Sequence, residues 1–229
     1  MPQPFHIDLY WSFRSPYSYL ILPRVNGLHA VGGHAVQWHV RVVYPLAIRY
    51  PQHFVKQAEN PLARPYFLRD CERTARMLGM PFRRPVPDPI VQDPVTLAIA
   101  DHQPHIHHLA HLGVAAVRRG HGLAFITEVS RLLWDGTTDH WHQGDHLAQA
   151  TARAGLRLID LEADIAADRD GIDAEIARNQ DDQQAAGHWG VPLLVFQGEP
   201  YFGQDRFDAL LWHLHHAAAQ SHRHPTPTP

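Results

Sequence analysis

The chain has few of the residues and runs that mark secreted, disulfide-bonded or membrane proteins. Its 229 residues include one cysteine, Cys71, so no intrachain disulfide is possible. No apolar run approaches the roughly 18 residues that a membrane-spanning helix needs, and no basic leader followed by an apolar stretch is visible near Met1. Since disulfides are rare in the reducing cytoplasm, these absences predict a cytoplasmic protein with no membrane partner.

The net charge is also close to zero, at −3. A nucleic-acid-binding protein would usually carry a strongly basic face. The arginines of residues 69–84 instead alternate with acidic and apolar residues, which is typical of the solvated side of a helix. The charge pattern therefore predicts no nucleic-acid partner.

Histidine is abundant, with 20 residues, and its densest cluster is His105, His107, His108 and His111. Histidine is a common metal ligand, and His107 and His111 are four residues apart on a predicted helix. The chain has no HExxH pattern, however, and no Cys/His spacing of the zinc type. We therefore expect solvent-facing histidines and no metal site, with a histidine-rich metal-binding or interaction protein as an alternative.

The N-terminal residues predict a strand, a helix and a second strand. Residues 5–11 alternate between apolar and polar side chains and are rich in β-formers. Ser15 followed by Pro16 is typical of a helix start, because serine caps the first turn and proline suits its first position. The second strand is predicted at residues 36–43.

A helical block follows, from about residue 61 to residue 182. Apolar side chains at helical spacing predict helices at residues 67–78, 105–119, 123–134, 145–154 and 172–186. Gly79 and Pro81 end the first of these helices, and the proline-rich residues 83–94 form an irregular connector. Cys71 lies on the apolar face of that first helix, so we expect it to pack in the core.

Strand patterns return at residues 193–196 and at Tyr201 and Phe202, with a turn between them. A last helix then carries Phe207 and three leucines on one face. This order predicts an α/β fold in which both ends of the chain complete one sheet and an all-helical domain is inserted between them. We assign residues 1–58 and 187–220 to the sheet domain, 59–186 to the inserted domain and 221–229 to a disordered tail.

Four segments resemble one group of enzymes. Residues 11–20 (WSFRSPYSYL), 187–192 (GHWGVP) and 202–206 (FGQDR) are similar to segments of 2-hydroxychromene-2-carboxylate isomerases and kappa-class glutathione transferases. Residues 66–81 resemble the first inserted helix of the same group. These enzymes belong to the DsbA-like superfamily, so the resemblance implies a thioredoxin-like fold with an inserted helical domain, and glutathione as the cofactor.

Ser15 stands where the resemblance places the reactive cysteine of disulfide oxidoreductases. Dithiol chemistry needs two cysteines, so it is excluded here. A serine hydroxyl can instead donate a hydrogen bond to the thiolate of bound glutathione, and the helix N-terminus adds partial positive charge. Together these effects would lower the pKa of the glutathione thiol by about one or two units. Ser15 is therefore the predicted catalytic residue.

The other glutathione contacts are implied by the resemblance. Pro192 is expected to be a cis-proline opposite the Ser15 turn, with Val191 bonding the cysteinyl backbone of glutathione in the manner of strand addition. The backbone at Gln204 and Asp205 is expected to hold the γ-glutamyl carboxylate, while Asp205 pairs with the ammonium group. The residues predicted to bind glutathione are Ser15, Val191, Pro192, Phe202, Gly203, Gln204 and Asp205.

The substrate residues are predicted from the same resemblance. Asn60, with Pro61, and Tyr66 would shape the cleft, and Arg41 is a cation that could stabilise an enolate. The sequence thus predicts a glutathione-dependent isomerase that acts on an aromatic-derived 2-oxo acid, and relatives of this kind are often homodimers. A kappa-like transferase, which would consume glutathione, is the alternative enzyme.

Overall fold

Five short strands form the sheet within the part of the chain that the computed structural model describes, which is residues 2–52, 60 and 62–223. The strands are β1 (Phe5–Trp11), β2 (Ala30–Val31), β3 (His34–Val42), β4 (Leu193–Phe196) and β5 (Glu199–Phe202). They are ordered β2-β3-β1-β4-β5, so β1 lies at the centre with one end of the chain on each side of it. The predicted completion of one sheet from both chain ends is therefore confirmed.

Helix α1 (Pro16–Gly27) connects β1 to β3, which run parallel in a register that pairs Phe5 with Val36 and Trp11 with Val42. Parallel strands need such a crossover connection. The carboxyl ends of β1 and β3 consequently meet at one edge of the sheet, where the backbone N–H of Val43 donates to the carbonyl of Trp11 at 2.9 Å. The residues that follow these two strands lie side by side.

The hairpin between β4 and β5 turns on two residues, Gln197 and Gly198, whose φ angles are 51° and 81°. Two successive positive φ angles are typical of a tight type I′ turn, which matches the twist of antiparallel strands. Strand β4 also pairs antiparallel with β1, in a register that sets Leu9 opposite Leu194. The hairpin therefore extends the sheet directly beside the central strand.

Helices fill the long connection between β3 and β4. They are α2 (Leu46–Arg49), α3 (Ala63–Leu78), α4 (Pro104–Arg118), α5 (Gly122–Trp134), α6 (His146–Arg153), α7 (Leu158–Ala167) and α8 (Arg169–Ala185). The predicted stop of α3 is confirmed, because Gly79 caps it in the left-handed conformation at φ 64°. Helix α7 was missed, since acidic residues separate its buried side chains Leu161 and Ile165.

Other boundaries differ from the sequence prediction by a few residues. Strand β3 begins two residues earlier than expected, at His34, and ends at Val42 rather than at residue 43. The last helix, α9 (Phe207–Arg223), follows a short 3-10 turn, Gln204–Arg206, and runs three residues into the predicted tail. Residues 224–229 lie outside the described part of the chain.

One hydrophobic core joins the sheet to the helices. It packs Leu9 of β1 and Leu20 of α1 against Leu112 of α4 and Phe125 of α5, all of them fully buried. Cys71 is 1% exposed in the same core, so its predicted packing role is confirmed. The α/β class with inserted helices is confirmed as well, whereas the domain limits at residues 59 and 186 stay a prediction. None of the described helices is both long and apolar enough to cross a membrane.

Candidate active site at the Ser15 turn

The segment after β1, residues 12–17, is called the Ser15 turn here, and it leads directly into α1. Ser15 is the N-cap of that helix, with extended backbone angles, and its Oγ accepts a hydrogen bond from the backbone N–H of Ser18 at 3.2 Å. Pro16 has no N–H, so Tyr17 supplies the first backbone donor of the helix. The hydroxyl therefore stands at the positive end of the α1 dipole.

Residues 187–192 form the cis-proline loop, which faces the Ser15 turn. The peptide bond between Val191 and Pro192 is cis, as the resemblance implies. Ser15 Oγ donates a hydrogen bond to the carbonyl of Val191 at 3.2 Å across 176 positions of sequence. Ser12, on the same turn, and Ser18, in the first turn of α1, are 1% and 0% exposed, whereas Ser15 is partly exposed. Ser15 thus carries the serine hydroxyl that a ligand could reach.

Side chains of the inserted block, two from helices and one from the connector at residues 83–94, contact three residues of the Ser15 turn. Trp134 Nε1 donates to the carbonyl of Phe13 at 2.9 Å, in a buried contact. The Arg14 guanidinium pairs with the carboxylate of Asp88 at 3.0 Å. The Tyr17 hydroxyl donates to Asp70 of α3 at 2.6 Å, and burial together with that carboxylate raises the pKa of Tyr17. The inserted block therefore fixes the residues on either side of Ser15.

The segment before the last helix also contacts the cis-proline loop. The backbone N–H of Gly203 donates to the carbonyl of Pro192 at 2.9 Å, and Gly203 has a φ of 93°, which favours glycine. Arg24 Nη1, from the end of α1, donates to the carbonyl of Gln204 at 3.4 Å. The Asp205 carboxylate is 62% exposed and lies 3.4 Å from the Arg206 guanidinium. The structure therefore brings the predicted glutathione residues together.

Three rings form an aromatic stack on the cis-proline loop. His188 stacks on Phe202 with ring centroids 3.9 Å apart, and on Trp189 with centroids 4.6 Å apart. Phe202 is 43% exposed and Trp189 is 48% exposed. A Cβ atom at Gly190 would lie 2.3 Å from the Phe202 ring, so glycine is required for this close approach. The stack leaves flat apolar surface open to a ligand.

His188 is held as a neutral ring within the stack. The backbone N–H of Gly190 donates to its Nδ1 at 2.9 Å, so Nδ1 accepts and the ring proton lies on Nε2. Burial lowers the pKa of His188 below its usual value of 6.5. The imidazole therefore stabilises the loop by hydrogen bonding in its uncharged form.

Among the described residues, no contact joins Ser15 to the three predicted substrate residues, whose role stays a prediction. Arg41 donates to Asp8 at 3.0 Å, on the face of the sheet opposite α1. Asn60 Oδ1 accepts from the backbone N–H of Leu62 at 3.0 Å in a local turn, and Pro61 lies outside the described residues. Tyr66 is 58% exposed on α3 beneath the Arg73 guanidinium.

Arg49, a cation that the sequence analysis did not single out, touches the cis-proline loop instead. Its Nη1 donates to the carbonyl of Trp189 at 3.2 Å and to Gln183 Oε1 at 2.7 Å. Its Nη2 is buried and has no hydrogen-bond partner among the residues that the structure describes. Nothing in the local sequence distinguishes Arg49 from Arg41, since the distinguishing contacts lie more than 130 positions away.

The histidine cluster is partly buried, so the expectation of solvent-facing rings was wrong for His111. This side chain is 3% exposed on the core side of α4, and its Nε2 lies 2.7 Å from the Asp173 carboxylate. The Tyr44 hydroxyl is 3.3 Å from the same nitrogen. Within residues 2–52, 60 and 62–223, no group of three or more His, Cys, Asp or Glu side chains is arranged to hold a metal ion.

A cavity of about 330 Å³ lies away from the Ser15 turn, where α5 meets α6. Its lining is polar and consists of Arg131, Asp135, Thr137, Thr138, His146, Gln149 and Arg153 together with Leu132. Arg131 and Arg153 are both paired with Glu128, at 3.1 and 2.7 Å. Because it contains none of the residues predicted to bind glutathione, we keep it separate from the candidate site.

Comparison with solved structures supports the same fold. A structure of 2-hydroxychromene-2-carboxylate isomerase superposes with a TM-score of 0.66 at 17% identity and covers 96% of this chain and 100% of its own. A probable DsbA oxidoreductase from Streptomyces coelicolor gives 0.58 at 17% identity, covering 98% and 93%. The cytosolic disulfide reductase DsbM from Pseudomonas aeruginosa, with GSH, gives 0.54 at 15%, covering 95% and 99%.

Comparison of sequences gives a family but no individual relative. No curated protein matches the chain significantly. The family model for the DSBA-like thioredoxin domain matches residues 6–215, which include the Ser15 turn, the inserted helices and the cis-proline loop. The chain therefore belongs to the family of DSBA-like thioredoxin domains.

Proposed function

We propose that the chain is a glutathione-dependent isomerase that acts on an aromatic-derived 2-oxo acid, as 2-hydroxychromene-2-carboxylate isomerase does. The observation that carries this proposal is the 3.2 Å contact between Ser15 Oγ and the Val191 carbonyl at the start of α1. A hydroxyl, rather than sulfur, occupies the point where the helix dipole and the cis-proline loop converge. A bound ligand would therefore supply the reactive thiol.

The chain's own sulfur cannot serve this chemistry. Cys71 is 1% exposed in the core, and burial raises the pKa of its thiol to about 11. A protonated, buried thiol is a poor nucleophile because the thiolate is the reactive form. Glutathione is the thiol that fits the site, and a structural neighbour, the reductase DsbM, is known with GSH.

Glutathione would bind by adding a short strand to the cis-proline loop. The carbonyl of Val191 would accept from the cysteinyl N–H, and this exchange would release the Ser15 hydroxyl. Ser15 and the Tyr17 N–H could then donate to the thiolate, as the positive end of the α1 dipole favours. The backbone at Gln204 and Asp205 would hold the γ-glutamyl carboxylate.

The proposed reaction regenerates its thiol. The glutathione thiolate forms a C–S bond with the β-carbon of the unsaturated 2-oxo acid, and the displaced π electrons move to the carbonyl oxygen as an enolate. The former C=C bond between the α- and β-carbons is single in this adduct and can rotate. The enolate then re-forms the carbonyl and the C=C bond, the C–S bond breaks, and the thiolate leaves with its electron pair. The stack of His188, Trp189 and Phe202 offers flat surface to an aromatic substrate. Arg41, held by Asp8, takes no step.

Ser15→Ala tests this proposal. We expect the variant to bind glutathione, to raise the pKa of the bound thiol by roughly one unit and to lower turnover at neutral pH about tenfold or more. Ultraviolet absorbance of the thiolate and assays with hydroxychromene carboxylate and benzylidenepyruvate measure these effects. Ser130→Ala, which removes a buried hydroxyl in α5, is the matched control.

Two outcomes would contradict the proposal. If Ser15→Ala leaves both thiolate formation and turnover intact, the hydroxyl has no role in activating sulfur. If the wild type consumes one glutathione for each substrate molecule, the chain is a transferase of the kappa kind, because an isomerase returns its glutathione unchanged.

A further inference from the structure

Arg49 differs from the ion-paired arginines of this chain. Arg41 and Arg118, for example, pair with carboxylates at 3.0 and 2.8 Å, and those carboxylates raise the pKa of each guanidinium. No ion pair of Arg49 is found among residues 2–52, 60 and 62–223, and burial lowers the pKa of its guanidinium. Its described contacts are with neutral groups, two oxygens and the Tyr50 ring at 5.4 Å, so within the described residues no carboxylate compensates this partly buried cation for the loss of water.

Gln183 fixes this cation on the cis-proline loop. The Gln183 side chain is fully buried, its Oε1 accepts from Arg49 at 2.7 Å, and its Nε2 donates to the carbonyl of Gly190 at 2.6 Å. The Arg49 guanidinium also bonds the carbonyl of Trp189. The cation is therefore anchored directly to Trp189 and, through Gln183, to Gly190, while its buried Nη2 has no hydrogen-bond partner in the part of the chain that the structure describes.

The direction of a bound peptide follows from the contacts on the other side of Val191. The backbone N–H of Gly203 donates to the carbonyl of Pro192, so Gln204 and Asp205 adjoin the C-terminal side of Val191. A γ-glutamyl group held at those two residues lies on that side. A ligand cysteine paired with Val191 then has its C-terminal end pointing toward the residues that precede Val191.

The distances agree with this direction. In an extended peptide the glycyl carboxylate of glutathione lies roughly 5–7 Å from the cysteinyl Cα, and Trp189, two residues before Val191, lies about as far from it along the loop. Arg49 stands at Trp189. Its Nη2 therefore lies where the negative end of the tripeptide arrives.

We infer that Arg49 binds the glycyl carboxylate of glutathione and so selects thiols that carry a negative charge at that end. The inference rests on the proposed function, since it assumes that glutathione binds at the Ser15 turn. A guanidinium suits the role because its planar donors match the two oxygens of a carboxylate. The Trp189 carbonyl and Gln183 Oε1 hold the guanidinium, and the ligand carboxylate supplies the negative charge that no described residue provides.

The test compares glutathione with its glycyl monoethyl ester, which has no charge at that end. Calorimetry on the wild type should show the ester binding roughly tenfold more weakly than glutathione, because a charge-assisted hydrogen bond is lost. In Arg49→Gln, glutathione should bind about as weakly as the ester, so the ratio of the two Kd values should fall from roughly ten to about one. Arg49→Lys should restore part of it, since lysine keeps the charge without the planar donors.

Arg178→Gln, an exposed arginine on the same helix as Gln183, is the matched control and should keep the full preference. Equal binding of the two ligands by the wild type, or a preserved preference in Arg49→Gln, would overturn the role of Arg49. The first of these outcomes needs no variant, so it holds even if Arg49→Gln fails to fold. If the wild type binds neither ligand, the proposed function itself fails.

Discussion

The two sides of the candidate site are built in different ways. Every residue from Phe13 to Tyr17 except Pro16 is tied by a hydrogen bond or ion pair. Two of the partners, Trp134 and Asp70, lie on inserted helices, and a third, Asp88, lies in the connector between them. The cis-proline loop instead presents the half-exposed ring of Trp189, whose carbonyl bonds Arg49, a cation whose buried Nη2 has no partner within the described residues. Under the proposed function, we expect the turn to set the reactivity of the glutathione sulfur and the loop to recognise the ligand.

The largest effect should come from loosening the turn. Trp134→Phe removes the donor to the Phe13 carbonyl and leaves that buried oxygen unpaired, so we expect a loss of about 1–3 kcal/mol in the free energy of unfolding. Because catalysis depends closely on position, kcat should fall roughly tenfold or more. The Kd for glutathione should change by less than about twofold, since the loop is untouched.

Denaturant unfolding, steady-state kinetics and calorimetry check the three parts of this prediction. A variant that loses stability and glutathione affinity together, with kcat unchanged, would break the division between turn and loop. It would show instead that the inserted helices shape the binding surface.

Local signals in the sequence were enough to predict most elements. Ser15 and Pro16 define the start of α1, and Gly79 defines the end of α3, because each depends on its immediate neighbours. The alternation over residues 5–11 gives β1 with its observed bounds. Helix α7 shows the limit of this approach, since its acidic residues weaken the apolar pattern that marks a helix.

The contacts that build the site could not be predicted from local signals, because their partners are far apart in the chain. The bond from Trp134 to Phe13 spans 121 positions, and the bond from Arg49 to Trp189 spans 140. Polarity alone also misplaced His111, which is buried because Asp173, 62 positions away, supplies a carboxylate partner. The resemblance supplied Ser15 and Val191, whereas Arg49 could be found only in three dimensions.

A smaller effect is expected from His188 in the cis-proline loop, as a change in how the free energy of unfolding depends on pH. Burial lowers the pKa of His188 in the folded protein, so the unfolded chain binds more protons below pH 6.5. This group therefore destabilises the folded state as pH falls from about 7 to 5. His188→Phe keeps a ring in the stack but removes the proton, so unfolding free energy should fall less steeply over that range.

Between pH 7 and pH 5, the loss of unfolding free energy in wild type should exceed that in the variant by less than about 1 kcal/mol, because His188 is only partly buried and solvent screens its charge. Denaturant unfolding at several pH values measures it. Identical slopes in wild type and variant would mean that His188 takes up its proton as easily in the loop as in the unfolded chain.

The smallest effect is expected from Ser12→Ala. This variant tests whether turnover depends on the partly exposed hydroxyl of Ser15 alone or also on the buried hydroxyl of Ser12. The Ser12 hydroxyl is buried and has no hydrogen-bond partner within the described residues, while its carbonyl accepts from the N–H of Ser15 at 3.1 Å. Alanine keeps that carbonyl and removes an unpaired polar group, so unfolding free energy should stay equal or rise by up to about 1 kcal/mol. Turnover should not change. A loss of turnover as large as that of Ser15→Ala would show that exposure does not distinguish the two serines, and the assignment of sulfur activation to Ser15 alone would then fail.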